Sequence, residues 1–247
     1  MIRLKSKADI EAMRVAGSIL RRALTSAGAA VRPGVTTAEL DELVRESIAR
    51  EGGRPAFKGY HGFPGNACIS INEAVVHGIP GSRALVEGDL VSIDVGVEKG
   101  GYYADACETY GVGRLNPQAQ RLLDVTRDSL AVGIAQAQAG RRLGDISHAV
   151  QSFVEGHGFS VVRDLVGHGI GWSLHEEPQV PNFGQAGQGP ELVPGMVLAI
   201  EPMVNEGREA VRTLADEWTV VTADGKLSAH FEHTVAITES GPVILTA

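Results

Sequence analysis

Apolar residues spaced three or four positions apart predict four amphipathic helices, arranged as two consecutive pairs. The first helix begins after Ser6, and Asp9 three residues later completes a capping box. Thr36 and Glu39 form the same signature ahead of the second helix, which ends at Gly52-Gly53. The stretch that follows is interrupted by glycine and proline, which predicts short strands and loops.

The second helix pair repeats the first at a nearly constant distance along the chain. Asn116 followed by Pro117 predicts the start of the third helix, and the fourth helix ends near Gly158. Apolar positions of the second helix recur 106 residues later in the fourth: Leu40 and Ile146, Val44 and Val150, Ile48 and Val154. The strand segments repeat at almost the same distance, because Gly195–Glu201 lies 107 positions after Gly88–Asp94 and aligns with it. The pattern therefore predicts an α+β domain of two pseudo-twofold related halves rather than a solenoid.

Four acidic side chains interrupt apolar segments that we interpret as buried strands. They are Asp94 within Leu90–Val95, Asp105 within Tyr102–Cys107, Glu201 at the end of Val197–Glu201, and Glu232 within Ala229–Val235. A buried carboxylate must be neutralised by a proton, a cationic side chain or a metal ion, because an isolated buried charge is very costly. These segments contain no lysine or arginine, so the pattern indicates metal ions.

The spacing of the first two acids predicts that they share a site. If Lys99-Gly100 forms a two-residue hairpin turn, Asp94 stands directly opposite Asp105 on the neighbouring strand. Directly opposed residues have Cβ atoms roughly 4.5 to 5.5 Å apart, so both carboxylates would repel each other without a cation between them. The pseudo-twofold axis would bring Glu201 and Glu232 to the same place from the other half.

His168 is the best candidate for a further metal ligand. Glycines precede and follow it, which lets the backbone approach closely and leaves the imidazole unobstructed. The two cysteines, Cys68 and Cys107, lack a CxxC spacing and form neither a disulfide framework nor a thiolate zinc site. Such cysteine usage is typical of a reducing cytosol.

Composition limits the remaining possibilities. The 247 residues, of which 43% are hydrophobic, are enough for one large domain or two fused halves. A formal net charge of −8 argues against direct nucleic-acid binding. The N-terminal residues lack the apolar core of a signal peptide, and no apolar run approaches the length of a membrane span. We therefore expect a cytoplasmic protein without a membrane anchor.

Several motifs resemble those of one known family, the type I methionine aminopeptidases, in the family's order and approximate spacing. They are Cys68–Glu73, Val76–Pro80, Gly167–Gly171, His175–Pro178, Ile200–Val204 and Phe231–Thr234. The resemblance extends from Ile10 to Thr246 and implies the pita-bread fold, in which helices flank a curved antiparallel sheet. It also implies a single catalytic domain over residues 1–247, with halves at roughly 6–113 and 116–247.

The resemblance implies a dinuclear metal site and a hydrolytic mechanism. Two divalent ions of cobalt, manganese, iron or zinc would be held by Asp94, Asp105, His168, Glu201 and Glu232. A water or hydroxide between the ions would attack the first peptide carbonyl, and Glu201 would also carry its proton. His77 and His175 are similar to the family's histidines that contact substrate and stabilise the intermediate.

The family resemblance also implies an apolar pocket for the methionine side chain. Its walls would be Tyr60, Phe63, Cys68, His77, Leu174 and Trp218. Phe63 and Leu174 replace a tyrosine and a phenylalanine that are common in the family, and both keep the lining apolar. The second substrate residue would be small. The implied partners are N-termini of nascent chains, with the ribosome as a further partner, and we expect a monomer.

Two alternative functions are consistent with the same motifs. One is a proline-specific aminopeptidase or prolidase, whose family members are longer chains with an added N-terminal domain. The other is a non-enzymatic binding protein on this fold, although such relatives have typically lost metal ligands that this chain retains. Three further histidines, His61, His230 and His233, have ambiguous roles in the sequence.

Overall fold

The computed structural model describes residues 1–247 and contains helices flanking antiparallel sheets. The helices are α1 (Lys7–Ala30), α2 (Thr37–Arg50), α3 (Pro117–Gln136) and α4 (Leu143–Gly156). The strands of the first half are β1 (Arg54–Pro55), β2 (Cys68–Ile71), β3 (Ala74–Val76), β4 (Leu90–Lys99) and β5 (Tyr102–Gly111). The later strands are β6 (Ser160–Val161), β7 (Gly167–Gly169), β8 (Glu176–Val180), β9 (Val197–Ile200), β10 (Met203–Asn205), β11 (Val211–Thr213), β12 (Val220–Thr222), β13 (Ser228–His230), β14 (His233–Thr238) and β15 (Gly241–Ile244).

The predicted helix starts are confirmed by their hydrogen bonds. The Ser6 hydroxyl accepts the backbone N–H of Asp9 at 3.2 Å, and the Asp9 carboxylate accepts the Ser6 N–H at 2.8 Å. Thr36 and Glu39 form the equivalent reciprocal pair ahead of α2. The side chain of Asn116 accepts a backbone N–H at the start of α3. Each cap satisfies helix N–H groups that have no partner within the helix.

Strands β4 and β5 form a long two-stranded ribbon whose two faces have different surroundings. Val91 and Val95 of β4, with Ala104 of β5, pack into the hydrophobic core beneath α1 and α2. Because side chains alternate across a strand, Asp94 and Asp105 lie on the opposite face. The apolar positions thus anchor the ribbon to the helices and direct its acidic positions away from them.

The register of this ribbon differs from the prediction. The turn is Gly100-Gly101, and Asp94 lies opposite Cys107 while Asp105 lies opposite Gly96. Both turn glycines have positive φ, 60° and 84°, as a two-residue hairpin turn with two left-handed residues requires. A lysine would be strained at such a position, so the turn avoids Lys99. Asp94 and Asp105 are therefore diagonal neighbours on one face instead of a directly opposed pair.

The strands form four antiparallel sheets, and β5 connects the long ribbon to the largest of them. This five-stranded sheet has the order β15-β14-β9-β7-β8 and is covered by α3 and α4. Cys107 of β5 exchanges backbone hydrogen bonds with Glu232, the residue before β14. Next to this pair, the Thr234 hydroxyl accepts the Asp105 N–H at 2.9 Å and donates to the Asp105 carbonyl at 2.7 Å. Asp105 of the ribbon and Glu232 before β14 consequently meet along this seam between β5 and β14.

The second helices of the two pairs have equal length, 14 residues in both α2 and α4. Each packs against the longer helix that precedes it. The division of the chain into halves at residues 113 and 116 stays a prediction. None of the four helices combines the length and the apolar character that crossing a membrane requires.

Candidate metal centre and substrate cleft

The four carboxylates that interrupt apolar segments converge on one site, but two of them lie outside strands. Asp94 and Asp105 project from the ribbon, whereas Glu201 directly follows β9 and Glu232 lies between β13 and β14. The prediction that all four belong to strands is therefore wrong for the two glutamates. Pro202 has no backbone N–H and ends the strand at Glu201. At Glu232 the chain changes its pairing partner from β10 to β5, which interrupts the strand.

Three buried carboxylate oxygens at this site have no hydrogen-bond partner in the protein. They are Oδ1 of Asp94, Oδ1 of Asp105 and Oε1 of Glu232. No lysine or arginine forms an ion pair with any of these residues or with Glu201. Because unpartnered buried acceptors are rare and costly, they fit a site that holds cations. The residues present are thus suited to divalent metal ions.

The surroundings of the carboxylates favour their uncharged forms in the absence of a cation. Burial raises the pKa of Asp94 to about 7. The pKa of Asp105 is raised well above its ordinary value by burial and by the neighbouring charges of Glu232 and Asp94. Burial, followed by the charges of neighbouring carboxylates, also raises the pKa of Glu201 and of Glu232. A bound cation would reverse this preference, since it stabilises the charged forms.

His168 presents a free imidazole nitrogen to the carboxylates. Its Nδ1 donates to the carbonyl oxygen of Gly169 at 2.9 Å, which leaves Nε2 unprotonated. Nε2 lies 3.6 Å from Oε1 of Glu201 and 4.0 Å from Oδ2 of Asp105. Ligand atoms of Asp105, His168 and Glu232 all lie within 4.8 Å of one another. Burial lowers the pKa of His168 to about 3, so the imidazole is neutral and able to bind a metal.

The glycines next to His168 are required by close backbone packing. A Cβ atom at Gly167 would lie 2.3 Å from the carbonyl oxygen of Ala199, and one at Gly169 would lie 2.2 Å from that of Glu177. Both contacts are too short for any side chain, so only glycine lets β7 fit between β8 and β9. The expectation that these glycines allow close approach at His168 is confirmed.

A cleft of about 230 Å³ opens directly over the carboxylates. Its walls combine the acidic cluster with aromatic and imidazole side chains. The lining residues are Phe57, Tyr60, His61, Phe63, Cys68, His77, Asp94, Asp105, His168, His175, Glu201, Trp218 and Glu232. The sequence-predicted metal and substrate residues therefore surround one cavity, with the exception of Leu174.

Leu174 is buried behind the cleft wall and does not line it. It packs in the same hydrophobic cluster as Phe63 and Cys68, and only 2% of its surface is exposed. It also lines a separate surface depression beside Tyr60. Leu174, in the loop between β7 and β8, thus supports the pocket from behind.

Two histidines that are far apart in the sequence, His77 and His175, line the cleft. His175 Nδ1 lies 2.8 Å from the Tyr60 hydroxyl, and its ring centroid lies 4.2 Å from that of His168. His77 directly follows β3 and has a positive φ of 59°. A strained backbone at a non-glycine residue is common where a side chain must be aimed at a ligand. Removal from water lowers the pKa of His77, and it lowers that of His175 to about 4, so both imidazoles are neutral near pH 7.

The apolar end of the cleft is an aromatic corner. Phe63 and Trp218 meet edge to face with ring centroids 5.1 Å apart, and the Trp218 ring also approaches His77. Two backbone N–H groups at Trp218 and Thr219 donate to Oδ1 of Asp216, which fixes the loop that carries the indole. Such edge-to-face aromatic pairs form rigid apolar walls.

Three residues at or near the site were not assigned to it from the sequence. Phe57 and His61 line the cleft, and His230 is buried behind Glu201 with its Nε2 3.8 Å from Oε2. The close approach of Gly96 to the Phe57 ring shows why Phe57 reaches the cleft, since a Cβ there would lie 2.6 Å from Cε1. No sequence signal marks Phe57. For His230, its position two residues before Glu232 is a signal that could have been used.

Carboxylates without cationic partners, grouped with a neutral imidazole, form the donor set of an enzyme that uses divalent metal ions. Comparison with known protein families shows to which group of metal-dependent enzymes this chain belongs. Residues 11–239 match the model of metallopeptidase family M24, and the chain belongs to this family. It is accordingly a metal-dependent hydrolase.

Individual relatives belong to the same family that the sequence motifs indicated. A methionine aminopeptidase of Clostridium perfringens is 55% identical over 246 residues, covering 100% of this chain and 99% of the relative. The crystal structure of a methionine aminopeptidase from Thermotoga maritima superposes with a TM-score of 0.98 at 48% identity, covering 100% of this chain and 99% of that one. The predicted resemblance to this family and the predicted pita-bread fold are confirmed.

A prolidase from Pyrococcus furiosus shares the fold but is more distant. Its TM-score is 0.80 at 24% identity, and the match covers 99% of this chain but 65% of the prolidase. This likeness shows the fold alone. The greater length of the prolidase agrees with the expectation that prolidases carry additional structure.

Proposed function

We propose that this protein removes the N-terminal methionine from peptides and nascent proteins whose second residue is small. The observation that carries this proposal is that the cluster of unpartnered carboxylates opens directly into a cleft lined by aromatic side chains. A metal-dependent peptidase that recognises one apolar side chain needs both parts in contact. The full-length similarity to enzymes named methionine aminopeptidase supports the same activity.

Asp94, Asp105, His168, Glu201 and Glu232 are the proposed metal ligands. We propose that they hold two divalent ions, because four carboxylates and one imidazole can offer up to about nine donor atoms, more than the roughly six that one octahedral ion accepts. When bound, these ions would lower the pKa of a water molecule and polarise the substrate carbonyl. Mixed oxygen and nitrogen donors accept cobalt, manganese, iron or zinc.

The protein's own groups would then guide the proton and the carbonyl. Glu201 lines the cleft among the proposed metal ligands, where a cation would keep it charged, so it is suited to take the proton of the attacking water and return it to the leaving amine. We propose that the Tyr60 hydroxyl, 2.8 Å from Nδ1 of His175, donates to this nitrogen, so that Nε2–H would donate to the substrate carbonyl as negative charge develops. His77 is proposed to contact the scissile amide from the other side.

Phe63, Trp218 and Cys68 would form the pocket for the methionine side chain. The aromatic walls and the thiol suit a polarisable thioether. Burial raises the pKa of the Cys68 thiol, so this cysteine contributes packing instead of a nucleophilic thiolate. Leu174 is proposed to influence the pocket only through the residues it supports.

The proposed substrates are free N-termini of newly made chains, and the ribosome is a proposed partner. This substrate class would place the activity in the cytoplasm. We propose that the protein acts as a monomer, because the cluster and the cleft are built from residues of one chain.

Hydrolysis of two substrates tests the proposal. The purified protein is treated with a chelator, supplied separately with manganese, cobalt, iron or zinc, and assayed on Met-Gly-Met and on an Xaa-Pro peptide. Release of methionine from the first peptide alone is expected. Cleavage of only the Xaa-Pro peptide would favour the prolidase alternative, and no cleavage with any ion would favour a binding protein.

A further inference from the structure

We infer that the buried ion pair between Lys5 and Glu176, which we call the N-terminal brace, positions His175 for catalysis. This inference rests on the role proposed above for His175. The brace connects the segment before α1 to the loop that ends at His175, although the two partners are 171 positions apart in the chain. Neither residue lines the cleft.

The ion pair is almost completely removed from water. Lys5 Nζ lies 2.6 Å from Oε2 of Glu176, and the exposed fractions of the two side chains are 1% and 5%. Lys5 Nζ also donates to the carbonyl oxygen of Arg3 at 3.0 Å, and the Lys5 backbone N–H donates to Gly195 at 2.7 Å. Lys5 is therefore fixed at both its backbone and its ammonium group.

Glu176 uses its second oxygen to organise the loop before it. Oε1 accepts the backbone N–H of Trp172 at 2.8 Å and that of Ser173 at 3.0 Å. One carboxylate thus binds a cation with one oxygen and two consecutive loop amides with the other. Charge-assisted hydrogen bonds of this kind are shorter and stronger than neutral ones, so they are suited to holding a loop in one conformation.

The same loop is packed tightly against the Lys5 side chain. A Cβ atom at Gly171 would lie 2.1 Å from Cε of Lys5, so glycine is needed for the contact. The Tyr103 N–H of the acidic ribbon donates to the Gly171 carbonyl at 2.8 Å. The brace and the ribbon therefore hold the beginning of the loop from two sides.

His175 directly precedes Glu176, and its side chain has one hydrogen bond, to Tyr60, and a close ring contact to His168 with centroids 4.2 Å apart. The residue is exposed at the cleft mouth. These contacts act on the ring, and the position from which the ring projects is set by the backbone. Because misplacement of a catalytic group by about 1 Å reduces rates on the order of a hundredfold, a brace at the adjacent residue affects turnover.

The test compares substitutions that remove the brace with one at its exposed neighbour. Glu176→Gln keeps an oxygen for the loop amides but removes the ion pair, Lys5→Met removes the cation, and Glu177→Gln is the matched control. Lys5→Met leaves the buried Glu176 carboxylate with Arg3, 4.0 Å away, as its remaining cationic neighbour. Should this variant fold poorly for that reason, the combined Lys5→Met and Glu176→Gln protein removes both charges of the brace. Each protein is assayed at saturating metal for kcat, KM, metal content and melting temperature, both alone and in a His175→Ala background.

The brace substitutions are expected to lower kcat by about tenfold to a hundredfold with little change in KM or metal content. Glu177→Gln should behave like the parent protein. In the His175→Ala background the brace substitutions should cause little further loss of kcat, because the group they position is absent. A lower melting temperature with unchanged kcat, or an undiminished loss in the His175→Ala background, would overturn the inference.

A direct measurement separates this inference from the proposed catalytic role. If His175→Ala leaves kcat unchanged, the proposed role of His175 is wrong whatever the brace does. In that case, imidazole NMR signals of His175 still decide whether the brace positions the ring. They are expected to shift in Glu176→Gln and not in Glu177→Gln, and unchanged signals in both would contradict the brace.

Discussion

At the residue scale, the site is defined by what its polar atoms lack. Asp105 is 3% exposed, its backbone is bound by Thr234, and its Oδ1 still has no partner. An ordinary structural aspartate would have used both oxygens in hydrogen bonds, as Asp41 does with the amides of Asn66 and Ala67. The contrast between these two aspartates within one chain indicates that Asp105 is held for an ion.

Replacing a proposed ligand with its amide should remove metal binding and activity together. Asp105→Asn or Glu232→Gln is expected to reduce turnover to background and to lower metal content, with the fold retained because the side-chain volumes are conserved. Metal analysis and hydrolysis of Met-Gly-Met measure both effects. Asp128→Asn, on an exposed surface of α3, is the control for the same chemical change. Full metal content with lost activity would show that the residue is not a ligand.

His175→Ala should separate catalysis from metal binding. Loss of one donor to a developing oxyanion costs about a hundredfold to a thousandfold in kcat, so an effect of this size is expected. Metal content should stay at the parent level, since His175 is not among the proposed ligands. Steady-state kinetics with metal analysis provides the check, and a large loss of bound ion would instead make His175 a ligand.

At the element scale, local signals were predictable and pairing details were not. The caps at Ser6 and Thr36 depend on residues three positions apart, so they can be identified without knowledge of the fold. The hairpin register depends on which two residues form the turn with positive φ. From their place between the two strand segments, Lys99-Gly100 and Gly100-Gly101 could both form it, and the structure has Gly100-Gly101. Only steric cost distinguishes them. A shift of the turn by one residue changes the residue opposite Asp94 from Asp105 to Cys107, two positions along β5. Because the change is two residues, Asp94 and Asp105 still lie on the same face of the ribbon.

The seam between β5 and β14 should be sensitive to one hydroxyl group. Thr234→Val keeps the side-chain shape but leaves the buried N–H and carbonyl of Asp105 without their partner. The expected cost is about 1–3 kcal/mol of unfolding free energy, accompanied by weaker metal binding because Asp105 loses its support. Urea unfolding and metal titration measure the two effects. Thr234→Ser keeps the hydroxyl and should restore both, whereas equal losses in the two variants would point to packing instead.

At the scale of the whole molecule, the site exists because two distant segments meet. The family motifs identified the residues that line the cleft, yet no local pattern could show that Leu174 stands behind its wall or that Phe57 reaches it. Those positions depend on how β1 and the loop before His175 pack on the ribbon. The backbone hydrogen bond from the Ala56 N–H to the Gly96 carbonyl, at 2.8 Å, is a long-range contact of this kind. Chemistry was thus more predictable than the shape of the pocket.

The cluster of buried carboxylates should make the stability of the whole protein depend on pH and metal together. In the metal-free protein, the pKa of Asp94 is raised from 3.8 to about 7, and those of Asp105, Glu201 and Glu232 are also raised. Through these carboxylates the folded protein binds more protons than the unfolded chain between these values, so their contribution to stability falls as pH rises. The histidines His168, His175 and His230 have lowered pKa values and contribute in the opposite direction as the unfolded chain loses its histidine protons near pH 6.5. Bound cations stabilise the charged carboxylates and should remove this loss.

Thermal unfolding with chelator and with added manganese or cobalt tests this prediction across the same window. The Asp94→Asn and Glu232→Gln double variant lacks two of the titrating carboxyl groups and keeps the histidines. Compared with this variant, the metal-free parent should lose melting temperature between about pH 5.5 and about pH 7.5, and the increase in melting temperature caused by metal in the parent should be larger at the higher pH. The same pH dependence in the two metal-free proteins would show that the carboxylates are charged without a cation, and that the cluster is not held for metal.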